Sequence, residues 1–157
     1  NINIGNLIKG KIDWVKRYKF MRMHTALHIL CSVVPMGVTG GQISFEKSRL
    51  DFNADANSIN KEDIQKKLNE ITKINHQVEY EWITYEKLEK KPELIRTMSV
   101  KPPRVADKIR LVKIGNIDLQ PCGGTHVNET KEIGSIIIGK IENKGKMNRR
   151  INISISD

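Results

Sequence analysis

The 157-residue sequence lacks several features that would place it at once in a class of protein. No run approaches the roughly 18 consecutive apolar residues of a membrane-spanning helix. Two cysteines are too few for a disulfide framework. Residues 1–5 contain no initiator Met and no basic or apolar leader, so they do not resemble a signal peptide. These absences favour a globular protein of the reducing cytoplasm.

Aromatic residues are also scarce, at 5% of the chain, so base stacking is not an obvious way for it to bind nucleic acid. What the sequence has instead is positive charge, with 27 Lys and Arg against 18 Asp and Glu and a formal net charge of +9. Such a surplus favours a polyanionic partner such as nucleic acid. The alternative is a generally basic surface without a specific partner.

Hydrophobic periodicity predicts an α+β domain, with a largely antiparallel sheet packed against two main helices. Asp13 is suited to cap the first helix, which Pro35 and Gly37 end. Ser58 or Asn60 is suited to cap a second helix, whose apolar stripe consists of Ile64, Leu68, Ile71 and Ile74.

Alternation of apolar and polar residues predicts the strands. Gly40-Gly41 predicts a turn into a hairpin of residues 42–45 and 49–52. Further strands are predicted at residues 77–85, 108–114, 133–141 and 150–156, with a turn around residues 143–145 between the last two. Residues 1–12 indicate a strand or linker, residues 86–90 a short helix, and Lys101-Pro102-Pro103-Arg104 a loop.

Two ligand pairs about a hundred residues apart are the most informative motifs. His24-Thr25-Ala26-Leu27-His28 places two imidazoles four residues apart on one face of the first helix. In Cys122-Gly123-Gly124-Thr125-His126 the glycines allow a sharp turn that lets the thiol and the imidazole converge. Together they offer three nitrogen donors and one sulfur donor, a set that favours zinc.

Two alternatives stay open at this point. Cys31 lies on the same helix face as the two histidines and could compete with Cys122, although a buried inert thiol is its more ordinary role. Four protein ligands describe a closed, structural zinc site, whereas hydrolysis needs a loose ligand or a further position for water.

The chain resembles the editing domain of alanyl-tRNA synthetases and their free-standing relatives, the AlaX trans-editing proteins. The resemblance covers nearly the whole chain in order. Its segments are Ile12-Asp13-Trp14, Arg17-Tyr18, Met21-Arg22-Met23-His24-Thr25-Ala26-Leu27-His28, Gly40-Gly41-Gln42-Ile43, Arg49-Leu50-Asp51-Phe52, Gln120-Pro121-Cys122-Gly123-Gly124-Thr125-His126, Lys144-Gly145 and Arg149-Arg150-Ile151. Threonyl-tRNA synthetase editing domains share both histidine-containing motifs, so these two motifs alone do not name the amino acid.

The resemblance implies a fold like that of the threonyl- and alanyl-tRNA synthetase editing domains, with one zinc ion held by His24, His28, Cys122 and His126. It implies residues 13–157 as the editing domain and residues 1–12 as a remnant or linker from a preceding β-rich domain. The implied reaction is hydrolysis of Ser-tRNA(Ala), with Gly-tRNA(Ala) as a second candidate. The implied partner is the acceptor end of tRNA(Ala). The alternatives are a non-catalytic RNA-binding module with structural zinc, or editing of Ser-tRNA(Thr).

Zinc lowers the pKa of a bound water, and the aminoacyl ester is already activated, so no nucleophilic side chain is required. The sequence has no G-x-S-x-G elbow, and no catalytic residue is assigned. Thr25 and Gln42 are the preferred candidates to position the water or to sense the serine hydroxyl, ahead of Thr39 and Ser44. Predicted substrate-binding residues are Thr25, Gly40, Gly41, Gln42 and Arg49. Predicted phosphate contacts are Lys16, Arg17, Lys19, Arg22, Lys144, Lys146, Arg149 and Arg150.

Overall fold

The structure, a computed structural model, describes residues 2–55, 57–98 and 107–156. These residues form helices α1 (Trp14–Val33), α2 (Lys61–Lys73) and α3 (Tyr85–Glu89), with two short 3₁₀ turns. The strands are β1 (Val38–Gln42), β2 (Ser48–Phe52), β3 (Val78–Thr84), β4 (Lys108–Ile114), β5 (Asp118–Pro121), β6 (Ser135–Gly145) and β7 (Asn148–Ser156). The predicted α+β class is confirmed.

The strands form two antiparallel sheets rather than one. The first has the order β1-β2-β7-β6, and the second has the order β3-β4-β5. Strand β5 was not predicted, because four residues that include Pro121 give too short a pattern to recognise. It matters for function because it ends directly before Cys122 and packs against α1.

Helix α1 begins where the sequence predicts, since the side chain of Asp13 accepts a hydrogen bond from the amide of Lys16 at 3.1 Å. It ends at Val33, two residues before Pro35. Its first turns are exposed, whereas nine of the residues from Arg22 to Cys31 are buried. The helix packs against β2 and β7 of the first sheet and reaches β5 of the second. His24 and His28 therefore lie where the helix enters the core.

Helix α2 is capped by Asn60 rather than Ser58, because the Asn60 side chain accepts the amide proton of Asp63 at 3.0 Å. Its apolar stripe is shorter than predicted, since the helix ends at Lys73 and the side chain of Ile74 is 63% exposed. Gln65 bonds both Ile136 O and Ile138 N, which covers part of the otherwise open edge of β6.

Two predicted turns were wrong. Gly40 and Gly41 lie inside β1, paired with Asp51 and Leu50, and residues 43–47 make the connection instead. The β6–β7 turn is at Lys146 and Met147, because the strands continue through residues 143–145.

Residues 2–12 form no strand, and the predicted loop at residues 101–104 lies outside the described residues. No helix in the described ranges is long and apolar enough to cross a membrane.

Candidate metal centre

The four predicted ligands meet at one point. One ligand atom from each of His24, His28, Cys122 and His126 lies within 4.8 Å of the others. The Sγ atom of Cys122 is 3.5 Å from Nε2 of His24 and 3.5 Å from Nε2 of His126. Tetrahedral zinc, with bonds of about 2.3 Å to sulfur and about 2.0–2.1 Å to nitrogen, would hold such atoms about 3.5 Å apart. The donor types and their spacing therefore fit a zinc ion.

Each imidazole of this cluster has an oxygen atom beside its Nδ1. The partner of His24 is Thr125 O at 3.3 Å, that of His28 is an Asp118 carboxylate oxygen at 3.2 Å, and that of His126 is the Thr25 hydroxyl at 3.1 Å. When Nδ1–H donates to oxygen, the lone pair is on Nε2. Such outer partners fix the orientation of metal-binding histidines.

Thr25 lies behind the cluster rather than in front of it. Its hydroxyl donates to Met21 O at 3.0 Å, so it accepts from His126 Nδ1–H and from the amide of Val127. Thr25 is fully buried and is not among the described residues that line the adjoining cavity. This geometry suits Thr25 to orient His126, and its predicted contact with the substrate stays a prediction.

Asp118 is a member of the site that the sequence analysis missed. Besides its bond with His28, its carboxylate accepts from Gln120 Nε2 at 2.6 Å, and Arg96 Nη2 lies 3.3 Å from its Oδ1. The Arg96 carbonyl accepts the amide proton of Val38, so the backbone at residue 96 is held beside β1. This position brings the Arg96 guanidinium within reach of Asp118. The sequence offers only the alternation of Asp118 and Gln120 before Cys122, and this pattern is too short to predict a strand or a role for Asp118.

The pKa values distinguish the two thiols. Burial would raise the pKa of Cys122, but hydrogen bonds from His126, His24 and His28 lower it to about 3. Burial raises the pKa of Cys31 to about 11. Cys122 is therefore the thiolate, the form that binds metal.

The histidines of the cluster respond differently to the same surroundings. Burial, together with the neighbouring His28 and His24, lowers the pKa of His126 to about 4. Burial also opposes a charge on His28, but its bonds to Asp118 and Cys122 raise its pKa overall. A neutral His126 beside a thiolate is suited to share a cation with it.

Gly124 touches His24 so closely that no side chain fits between them. A Cβ atom built on Gly124 would overlap the His24 imidazole, whereas one built on Gly123 would meet nothing within 4 Å. The two glycines thus have different roles, since only the second requires glycine for close approach.

Gly124→Ala is expected to push His24 out of the cluster and weaken zinc binding about 10-fold or more, a loss of the size seen when metal ligands are misoriented. Gly123→Ala is the matched control and should bind zinc like the wild type. Zinc affinity is measured by competition with a chromophoric chelator. Equal affinities for the two variants would contradict the close contact of Gly124 with His24.

A cavity of about 310 Å³ opens beside the cluster. Its walls are mainly apolar and are formed by Leu27, Cys31, Val38, Ile43, Leu50 and Pro121. Of the predicted substrate-binding residues, Gly41 and Gln42 line it, whereas Gly40 and Arg49 are not among its described lining residues. Gln120 and Thr97 also line the cavity and were not predicted.

Several predicted phosphate contacts have partners within the fold. Arg150 bonds the carboxylate of Asp51, as does Arg49, which was predicted to bind the substrate. Arg149 is buried against Asn143 and nearby carbonyls, and Arg22 is buried against Ile133 O. Lys144 pairs with Glu142 at 2.9 Å. The exposed Lys16, Arg17 and Lys146 and the half-buried Lys19 remain predictions as phosphate contacts.

Comparison with known proteins agrees with this picture. Residues 109–152 match the family model described as the threonyl and alanyl tRNA synthetase second additional domain. The chain is 35% identical over 161 residues to the "Alanyl-tRNA editing protein AlaX-M" of Methanosarcina mazei, covering 99% of this chain and 64% of the relative. It is 36% identical over 155 residues to the protein of that name from Saccharolobus solfataricus, covering 96% of this chain and 65% of the relative.

A longer relative is an "Alanine--tRNA ligase" of Methanococcus vannielii, 35% identical over an alignment of 147 residues that covers 88% of this chain and 16% of the relative. These matches show similarity to the family of threonyl- and alanyl-tRNA synthetase second additional domains, with residues 109–152 as the part that matches the family model. The similarity over nearly the whole chain is to alanyl-tRNA editing proteins of the AlaX-M type. The chain spans slightly less than two thirds of the length of those two relatives.

Proposed function

We propose that this chain removes serine from mischarged tRNA(Ala) by hydrolysis of the aminoacyl ester, with Gly-tRNA(Ala) as a second substrate. The observation that carries the proposal is the contact between the imidazole–thiolate cluster and the cavity, since His24, His28 and Cys122 belong to both. The names of the relatives, which describe alanyl-tRNA editing, support the choice of substrate class.

The cavity suits a small acyl group with one polar atom. Its volume of about 310 Å³ and its apolar walls suit a small side chain, while Gln42 and Gln120 offer amide groups in its lining. A synthetase pocket that accepts alanine cannot strongly reject an analogue with one added hydroxyl. A second site that bonds the hydroxyl can discriminate strongly, and Gln42 remains our candidate for that contact.

The chain's own residues hold the site in shape. His24, His28, Cys122 and His126 would bind zinc, which supplies Lewis acidity when present. Thr25 and Asp118 keep the imidazoles of His126 and His28 turned toward the cluster. The catalytic proton transfers are not assigned to a side chain.

We propose residues 13–157 as the editing domain, residues 1–12 as a remnant or linker, and the cytoplasm as the location.

The test is release of serine from Ser-tRNA(Ala) before and after removal of zinc by a chelator. We expect serine release to fall at least 100-fold on chelation, because the cluster loses its Lewis acid, and to return when zinc is added. Ala-tRNA(Ala) should stay charged. Faster release from Ser-tRNA(Thr) than from Ser-tRNA(Ala) would reassign the tRNA, and full activity without zinc would contradict the metal mechanism.

A non-catalytic RNA-binding module with structural zinc is the second candidate. One observation favours it, namely that four protein ligands already complete the tetrahedral shell that is typical of structural zinc. In the same assay this candidate predicts zinc-dependent folding and tRNA binding without release of serine.

A further inference from the structure

We infer that Arg110, stacked on Tyr80, is a positioning residue that holds the loop of residues 122–126 in the shape required for metal binding. The inference rests on the metal site of the proposed function. It concerns a different part of the molecule from the four ligands, namely the second sheet, where β3 and β4 carry these two residues.

Arg110 bonds the loop at two carbonyl groups. Its Nε donates to Cys122 O at 2.9 Å, and its Nη2 donates to Gly124 O. The backbone of the same residue accepts the amide proton of Cys122 at 3.1 Å. Arg110 therefore holds the amide and the carbonyl of Cys122 and the carbonyl of Gly124.

Tyr80 fixes the guanidinium in turn. The Arg110 Cζ atom lies 4.7 Å from the centroid of the Tyr80 ring, within the range of a cation–π contact. The ring comes from β3, which pairs with β4 residue by residue through the register of Tyr80 with Val112 and Trp82 with Arg110. The contact with this ring thus sets the direction of the arginine side chain toward the loop.

The loop needs such support because of its glycines. A Gly-Gly segment has many backbone conformations available, and the entropy lost when it is ordered opposes formation of the site. A Cβ built on Gly123 would meet no neighbour, so packing there does little to restrict the chain. Two bonds from one rigid, planar guanidinium restrict it directly, which the single ammonium of a lysine cannot reproduce.

The experiment compares zinc dissociation constants of Arg110→Lys and the wild type by chelator competition. We expect Arg110→Lys to bind zinc about 10- to 100-fold more weakly, the range for loss of an outer partner of a metal ligand. The cobalt-substituted variant should show altered d–d absorption, which reports ligand geometry and would not change if Arg110 only stabilised the sheet. Lys113→Met is the matched control on β4, since the ion pairs that the Lys113 ammonium makes within the described residues are with Glu79 and Glu81 of β3.

Two substitutions at Tyr80 keep the inference testable if Arg110→Lys fails to fold. Tyr80→Phe retains the ring and should bind zinc like the wild type, whereas Tyr80→Leu should weaken binding about 3- to 10-fold. Wild-type affinity in folded Arg110→Lys, or equal affinity of the two Tyr80 variants, would overturn the inference. Zinc binding without deacylation would contradict the proposed function and leave the role of Arg110 intact, whereas no zinc binding by the wild type would overturn both.

Discussion

Replacing Cys122 by alanine is expected to weaken zinc binding about 100-fold, whereas replacing Cys31 by alanine should leave the affinity almost unchanged. Both thiols are free and both line the same cavity. The two substitutions therefore remove the same chemical group from the same cavity, and each is the control for the other. They differ in their neighbours. Three imidazoles lower the pKa of Cys122 to about 3, whereas burial raises that of Cys31 to about 11.

The size of the effect follows from the usual affinity of structural zinc sites. Zinc binding contributes about 10–16 kcal/mol in such sites, so one of four ligands accounts for about 3 kcal/mol. That loss corresponds to roughly a 100-fold weaker affinity, at 1.4 kcal/mol for each factor of ten. Zinc content after dialysis and chelator competition both measure it. Retention of zinc by Cys122→Ala together with its loss from Cys31→Ala would show that the other thiol is the ligand.

Local sequence signals account for the parts of the site that could be predicted. Asp13 and Pro35 mark the two ends of α1 in the sequence, so they predict the helix. Within that helix, the four-residue spacing of His24 and His28 places both imidazoles on one face. The glycines after Cys122 predicted a non-helical turn for the same local reason. Convergence of the two pairs is a long-range property, and the motifs predicted it only through the donor types that they share.

The supporting residues could not be predicted, because their roles depend on contacts between distant segments. Asp118 and Arg110 resemble ordinary strand residues in the sequence, and each gains its role from a partner on another element. The bond between Thr25 and His126 has the same origin, since an exposed and a buried hydroxyl look alike in a helix pattern. The ion pair of Arg150 is also long-range, because the register of β2 with β7 brings its side chain to the carboxylate of Asp51, which Arg49 also bonds.

Replacing Asp118 by alanine should have the second large effect on zinc affinity and on stability, because its carboxylate contacts both a metal-site histidine and Arg96. Its side chain is fully buried between His28 and the guanidinium of Arg96, which is itself 27% exposed. Removing one partner of a buried ion pair leaves the other charge uncompensated. Removing the partner of a metal-binding histidine also frees the ring to rotate.

Asp118→Ala is therefore expected to weaken zinc binding about 10- to 100-fold and to lower the free energy of unfolding of the metal-free protein by about 3 kcal/mol, the lower end for a buried pair because Arg96 keeps some hydration. Urea unfolding without metal measures the second effect separately from the first. Glu79→Gln is the control, since its ion pair with Lys113 is 3.7 Å long and exposed, and should change stability by less than about 1 kcal/mol. If Asp118→Ala lowered stability but kept wild-type zinc affinity, the carboxylate would support only the packing of Arg96, and His28 would owe its orientation to α1 alone.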